Sequence, residues 1–245
     1  MHISKSNNLT MIKNKIPTPG KNESFDKKTT RAVMIVDDHP VMREGLVQLL
    51  AQEDGLRICG QHEEASRAFE AIGKLKPDIV LVDLALKGGS GGIELIKNVK
   101  ANYPKVILLV LSMHEESTYA ERALRAGASG YVMKQEASEN ILLALRTVIN
   151  GGIYLSEKMS AKFMHQLVGG RPINGGSLVE SLSDRELEVF DLIGQGRSTR
   201  EIAEQLHLSV KTIESHRAHI KEKLNLRSAT ELVHRAIQTH AQQNV

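Results

Sequence analysis

IVLVDLALKGG, Ile79 to Gly89, reads as a buried β-strand that ends in an acid. Ile, Val and Leu follow one another without a polar break, the pattern of a strand covered on both faces of a sheet. Asp83 then sits where an unpaired carboxylate is costly, so it needs a cation or an exit from the core. A strand that delivers an acid to the edge of a parallel sheet meets both conditions, and that reading organises the rest of the chain.

AVMIV (32–36), LRICG (56–60), DIVLV (78–82), KVILLVL (105–111) and SGYVM (129–133) read as strands. Amphipathic helical patterns lie near 40–52, 64–74, 90–102, 117–126 and 137–149. Strands that alternate with helices imply βαβ crossovers, hence an α/β, doubly wound parallel sheet with helices on both faces. The alternation stops at NGG (150–152), which sets a first domain at 31–151. Residues 152–177 read as a linker with a short helix near 157–168 and a Gly- and Pro-containing end, GGRPINGGS. Residues 178–245 are wholly helical in pattern, a small all-α domain. Ser183 with Glu186, and Ser228 with Glu231, have capping-box spacing, Ser209 is a further N-cap, and the short pieces suggest a helix-turn-helix.

The bulk properties narrow the class. The longest uninterrupted apolar run, Val106 to Leu111, is far short of a membrane span, and Cys59 is the sole cysteine, which leaves no disulfide framework and no cysteine zinc site. A cytoplasmic protein with no membrane partner is expected. The net charge of +3 is local: residues 1–30 carry six lysines against Glu23 and Asp26 and read as a disordered basic tail.

In a parallel α/β sheet ligands gather at the carboxyl ends of the strands. Strand one ends in Asp37 and Asp38, strand three in Asp83, strand four in Ser112, and strand five runs into Lys134. Three carboxylates on one rim repel, and a hard divalent cation such as Mg²⁺ relieves them. With a hydroxyl and an ammonium beside it, Asp83 is a candidate nucleophile that would form an acyl phosphate. Taken singly, each residue is more readily a strand-end cap or a solvated charge; the set carries the reading.

IVDDHP, LVDL, VLSMH and GASGYVMK together resemble a CheY-like receiver domain of two-component response regulators, over roughly Arg31 to Gly151. The resemblance implies sheet order 2-1-3-4-5 and Asp83 as phosphoacceptor. It also implies Mg²⁺ held by Asp37, Asp38, Asp83 and the main-chain carbonyl of Ala85. Ser112 and Lys134 would engage phosphoryl oxygens, and Tyr131 would reorient with Ser112. A departure is Leu86-Lys87 where relatives commonly carry Met-Pro, which with the following GGSGG is expected to loosen the loop. Residues 182–237 resemble the LuxR-type helix-turn-helix output domain of NarL/FixJ-like regulators. This implies double-stranded DNA, a sensor histidine kinase and a homodimer on DNA as partners, and leaves a contact with RNA polymerase open.

The bottom-up case for DNA is local, because residues 178–245 hold nine Lys and Arg against ten Asp and Glu. Between Ser209 and Arg227 cations dominate. Lys211, Thr212 and Arg217 are phosphate candidates, Lys221 a further basic contact, and Glu214, Ser215 and Ala218 occupy the positions that resemble the family's base-reading face. His216 and His219 lack a third metal ligand and read as helix-surface or core residues. The expected function is a phosphorylation-dependent transcriptional regulator, with no enzymatic activity beyond Mg²⁺-dependent self-phosphorylation and autodephosphorylation. A phosphatase of the haloacid dehalogenase type would carry D-x-D, and Ala85 stands where its second acid belongs. Constitutive, phosphorylation-independent DNA binding is the third reading.

Overall fold

The computed structural model describes residues 30–86, 91–169 and 178–243. The basic tail up to residue 29, residues 87–90 of the loop after Asp83, and the Gly- and Pro-containing stretch of the linker, 170–177, lie outside the described residues.

Five parallel strands form the sheet in order β2-β1-β3-β4-β5. They are β1 (Arg31–Val36), β2 (Leu56–His62), β3 (Ile79–Val82), β4 (Ile107–Ser112) and β5 (Gly130–Met133). Successive residues of a strand point to opposite faces. Val33, Ile35, Ile79 and Leu81 therefore pack under α1 (Pro40–Ala51) and α5 (Ala137–Ile149). Met34, Val36, Val80 and Val82 pack under α2 (Ala65–Leu75), α3 (Gly92–Asn102) and α4 (Glu116–Ala126). The central strands are fully buried, which is why they read as unbroken apolar runs.

Register builds the rim. Val36 pairs with Val82 and Val82 with Val110. The Asp83 amide then donates to the Val36 carbonyl at 2.8 Å, which brings Asp37 and Asp83 side by side where the strands end. The two described ends of the loop after β3 are closely packed. Leu86 is buried, and a Cβ on Gly92 would lie 2.1 Å from the Asp83 carbonyl oxygen. Glycine at 92 thus serves close approach of α3 to the acceptor strand, and the loosening expected from Lys87 and the residues after it lies outside the described residues.

The segment after α5 also differs from a free linker. Tyr154 forms a parallel bridge to Gly130; the Tyr131 amide donates to its carbonyl at 2.9 Å and its own amide donates to Ser129 at 3.1 Å. Composition carries no signal for such edge pairing. The Ser156 amide then donates to the buried Glu116 carboxylate at 2.9 Å, and α6 (Glu157–Gly169) follows.

The C-terminal domain comprises α7 (Asp184–Gly194), α8 (Thr199–Gln205), α9 (Val210–Lys223) and α10 (Ala229–Gln243) around Leu187, Phe190, Ile202, Ile213, Ile220, Leu232 and Ala236. Ser183 closes the capping box with Glu186, and Ser209 accepts the Thr212 amide at 3.0 Å. Ser198 and Glu201 close a further box. At α10 the expected box is offset: Ser228 accepts the Glu231 amide, but the Glu231 carboxylate takes the Arg227 amide. Among the described residues, no helix is long and apolar enough to cross a membrane.

Candidate functional site: the acidic rim and the reading helix

Asp37 and Asp83 are 2% and 1% exposed, so neither is a solvated surface acid. Lys134, just past β5, reaches back across the sheet edge and lies 2.6 Å from Asp83 Oδ2 and 2.7 Å from Asp37 Oδ2. The three expected residues therefore meet, and the ammonium already offsets part of the repulsion that Mg²⁺ was expected to relieve. Burial raises the Asp83 pKa, Lys134 opposes this, and Asp37 adds to the rise. The Ala85 amide donates to Asp83 Oδ1 at 3.2 Å, which orients the carboxylate.

His39 is a member of the rim that the sequence reading did not select. It precedes Pro40, the first residue of α1, and its amide donates to Asp37 Oδ1 at 2.8 Å. Its Nδ1 lies 2.8 Å from Asp38 Oδ1, 3.1 Å from Asp37 Oδ1 and 3.7 Å from Asp83 Oδ2. The usable signal was its place in DDHP, directly after two acids. Ligand atoms of Asp37, Asp38, His39 and Asp83 all fall within 4.8 Å of one another, and the carboxylate oxygens among them suit a hard divalent cation.

Ser112 and Tyr131 lie one layer deeper, both fully buried. Ser112 Oγ accepts the His114 amide at 3.1 Å, and the Tyr131 hydroxyl donates to the His114 carbonyl at 2.7 Å. Both switch candidates thus hold one residue of the loop between β4 and α4. That loop faces the C-terminal domain. Arg122 on α4 donates to the carbonyls of Leu182 and Val179 and pairs with Asp184 at 3.2 Å, while Lys97 on α3 pairs with Asp184 at 2.9 Å.

On α9, Ile213 and Ile220 are buried while Lys211, Glu214, Ser215 and Ala218 are exposed. The helix therefore shows solvent the face expected to read bases. Thr212 is half-buried and pairs its hydroxyl with the Ser209 hydroxyl at 2.8 Å. Arg217 and Lys221 are also half-buried. Arg217 follows Ile213 by one turn, on the row that packs inward. His216 is half-buried and His219 lies 4.0 Å from Glu186, in keeping with surface and core roles.

Residues 33–146 match the response regulator receiver domain, and residues 180–236 match the bacterial regulatory proteins of the luxR family. The oxygen regulatory protein NreC of Staphylococcus carnosus (strain TM300) is 34% identical over 208 residues, 84% of this chain and 96% of that protein. NreC of Staphylococcus haemolyticus (strain JCSC1435) is 33% identical over the same shares. Among solved structures, the Salmonella typhimurium RcsB response regulator aligns with a TM-score of 0.62 at 26% identity, over 86% of this chain and 98% of that one. RcsB from Salmonella enterica serovar Typhimurium bound to promoter P1flhDC in the presence of phosphomimetic BeF3- aligns at 0.58 and 26%, over 85% and 98%. Relatives that span both domains together, and a sheet order that agrees with the matched receiver, lead to one assignment: the chain belongs to the NarL/FixJ-type response regulators, which join a receiver domain to a luxR-family helix-turn-helix DNA-binding domain.

Proposed function

We propose that Asp83 accepts a phosphoryl group from a sensor histidine kinase and that the phosphorylated chain acts on DNA as a dimer. The observation that carries this reading is the buried Asp83 carboxylate, held at 2.6 Å by Lys134 and oriented by the Ala85 amide. In the transfer, an Asp83 oxygen forms the new bond to phosphorus as the kinase imidazole leaves, and the acyl phosphate results. The Lys134 ammonium stays beside the oxygens that gain charge, and the Ser112 hydroxyl donates to one of them. Asp37, Asp38 and Asp83, with the Ala85 carbonyl, would hold Mg²⁺, which supplies further neutralisation of the phosphoryl charge. Beyond self-phosphorylation from small donors and slow autodephosphorylation, the rim has no enzymatic role. Promoter DNA is the downstream partner of the chain, which acts in the cytoplasm.

The test is label uptake from acetyl phosphate by the full chain in Mg²⁺. Wild type becomes labelled and Asp83→Asn does not; equal labelling of the variant overturns the assignment. A second reading, DNA binding without phosphorylation, draws on one observation: the outer face of α9 is exposed while Asp83 is unmodified. A shift assay with and without acetyl phosphate separates the two, since only the first expects a gain.

A further inference from the structure

A polar cluster is buried where α7 meets the receiver domain. The His114 and Asp191 side chains are each 12% exposed and Tyr119 is 3% exposed. The His114 ring stacks on the Tyr119 ring with centroids 4.6 Å apart, and its Nδ1 lies 4.0 Å from Asp191 Oδ2. The Tyr119 hydroxyl faces the same carboxylate. The Tyr119 hydroxyl is buried without a hydrogen-bond partner among the described residues, and burying polar groups that are not fully bonded is costly, so the cluster is a weak point in the docking of α7.

His114 is held from its other side by the main chain. Its amide donates to Ser112 Oγ and its carbonyl accepts from the Tyr131 hydroxyl. Its backbone therefore follows the pair that would sense a phosphoryl group, and its ring touches the DNA-binding domain. We propose that His114 is the positioning residue that ties phosphorylation of Asp83 to the docking of α7 on the receiver domain. The inference rests on Asp83 as phosphoacceptor. A phosphoryl group draws the Ser112 hydroxyl toward it; the His114 amide either follows or loses its acceptor, and in both cases the imidazole leaves its place against Tyr119 and Asp191. The bland alternative is a histidine that merely fills the interface, with docking indifferent to Asp83.

Hydrogen exchange of α7 amides in the full chain, with and without acetyl phosphate, distinguishes these, with label uptake measured in the same samples. In wild type, phosphorylation speeds exchange at the docked face about ten-fold, within the usual range of coupling between sites. His114→Ala takes up label as wild type does, exchanges fast without phosphate, and gains little more on phosphorylation. Asp191→Asn, on the opposite side of the contact, gives the same loss of coupling and covers the case in which His114→Ala fails to fold. Slow exchange in either folded variant that still rises on phosphorylation overturns the proposal. Absence of label in wild type overturns the acceptor reading instead.

Discussion

The acidic rim and the outer face of α9 are both charged, yet one is closed and the other open. At the rim, Asp37, Asp83 and Lys134 are buried against one another, so charge, packing and chemistry share the same atoms. On α9 the buried residues Ile213 and Ile220 hold the helix, and Lys211, Glu214, Ser215 and Ala218 face solvent. Stability and recognition are therefore inseparable at the rim and separable on the helix.

The largest effect is expected from Lys134→Ala. It leaves two like charges buried without their cation, so the receiver domain should lose about 3–5 kcal/mol in urea unfolding with chelator present. Added Mg²⁺ should restore part of this, and an unchanged midpoint would break the picture of a closed site. Gly92→Ala pushes a methyl group into the Asp83 carbonyl and should cost about 1–3 kcal/mol in the same measurement.

The helix should behave in the opposite way. Glu214→Ala is expected to leave unfolding within about 0.5 kcal/mol of wild type. In competition shift assays it should relax preference at a single base pair by about 1–3 kcal/mol. Lys211→Ala should weaken binding to all sequences alike and reduce the salt slope by about one unit. Stability losses in these two variants would erase the contrast.

The smallest net effect is expected at the docked interface, because two shifts oppose. Burial pushes Asp191 up to about 6, against Tyr119 and Arg122 and with help from Glu115, while burial pulls His114 down to about 4, with Lys134 adding to it. Released, the two groups return toward 3.8 and 6.5. From about pH 4.5 to 6 the pair then holds one proton in either state, on Asp191 when docked and on His114 when released, so docking is nearly flat in pH. Asp191→Asn leaves the depressed histidine alone, so the weaker docking it retains is greatest above the free pKa of His114 and fades further as pH falls toward 4. His114→Phe leaves the raised carboxylate alone, and docking strongest below its free pKa fades as pH rises through 6. Opposite slopes in exchange rates of α7 amides check this; parallel slopes refute it.

Much of the receiver domain was legible because its strands are short apolar runs and its acids stand at their ends. Asp83 could be read from its place after IVLV, since burial and charge conflict within a single short stretch. His39 could not be weighed so easily: its partners include Asp83, which only strand register brings near. Gly92 read as a source of freedom because sequence shows a missing side chain but not the carbonyl that excludes one. Arg217 read as a phosphate candidate from its charge, and its spacing from Ile213 and Ile220 adds that part of its side chain lies against the helix's inward row. The Ser198 and Glu201 box had the same spacing as the one at Ser183 and was readable. The edge pairing of Tyr154 was not, because main-chain bonds leave no trace in composition.

That pairing has a consequence for solubility. β5 closes the sheet on one side, and an open edge strand invites addition of foreign strands. Tyr154 occupies the amide of Tyr131 and the carbonyl of Ser129, so the tether between the two domains also serves as an edge guard. Any state in which residues 153–156 peel away from the sheet would expose an adhesive border along with a freed DNA-binding domain, and self-association would then rise with the lifetime of that state.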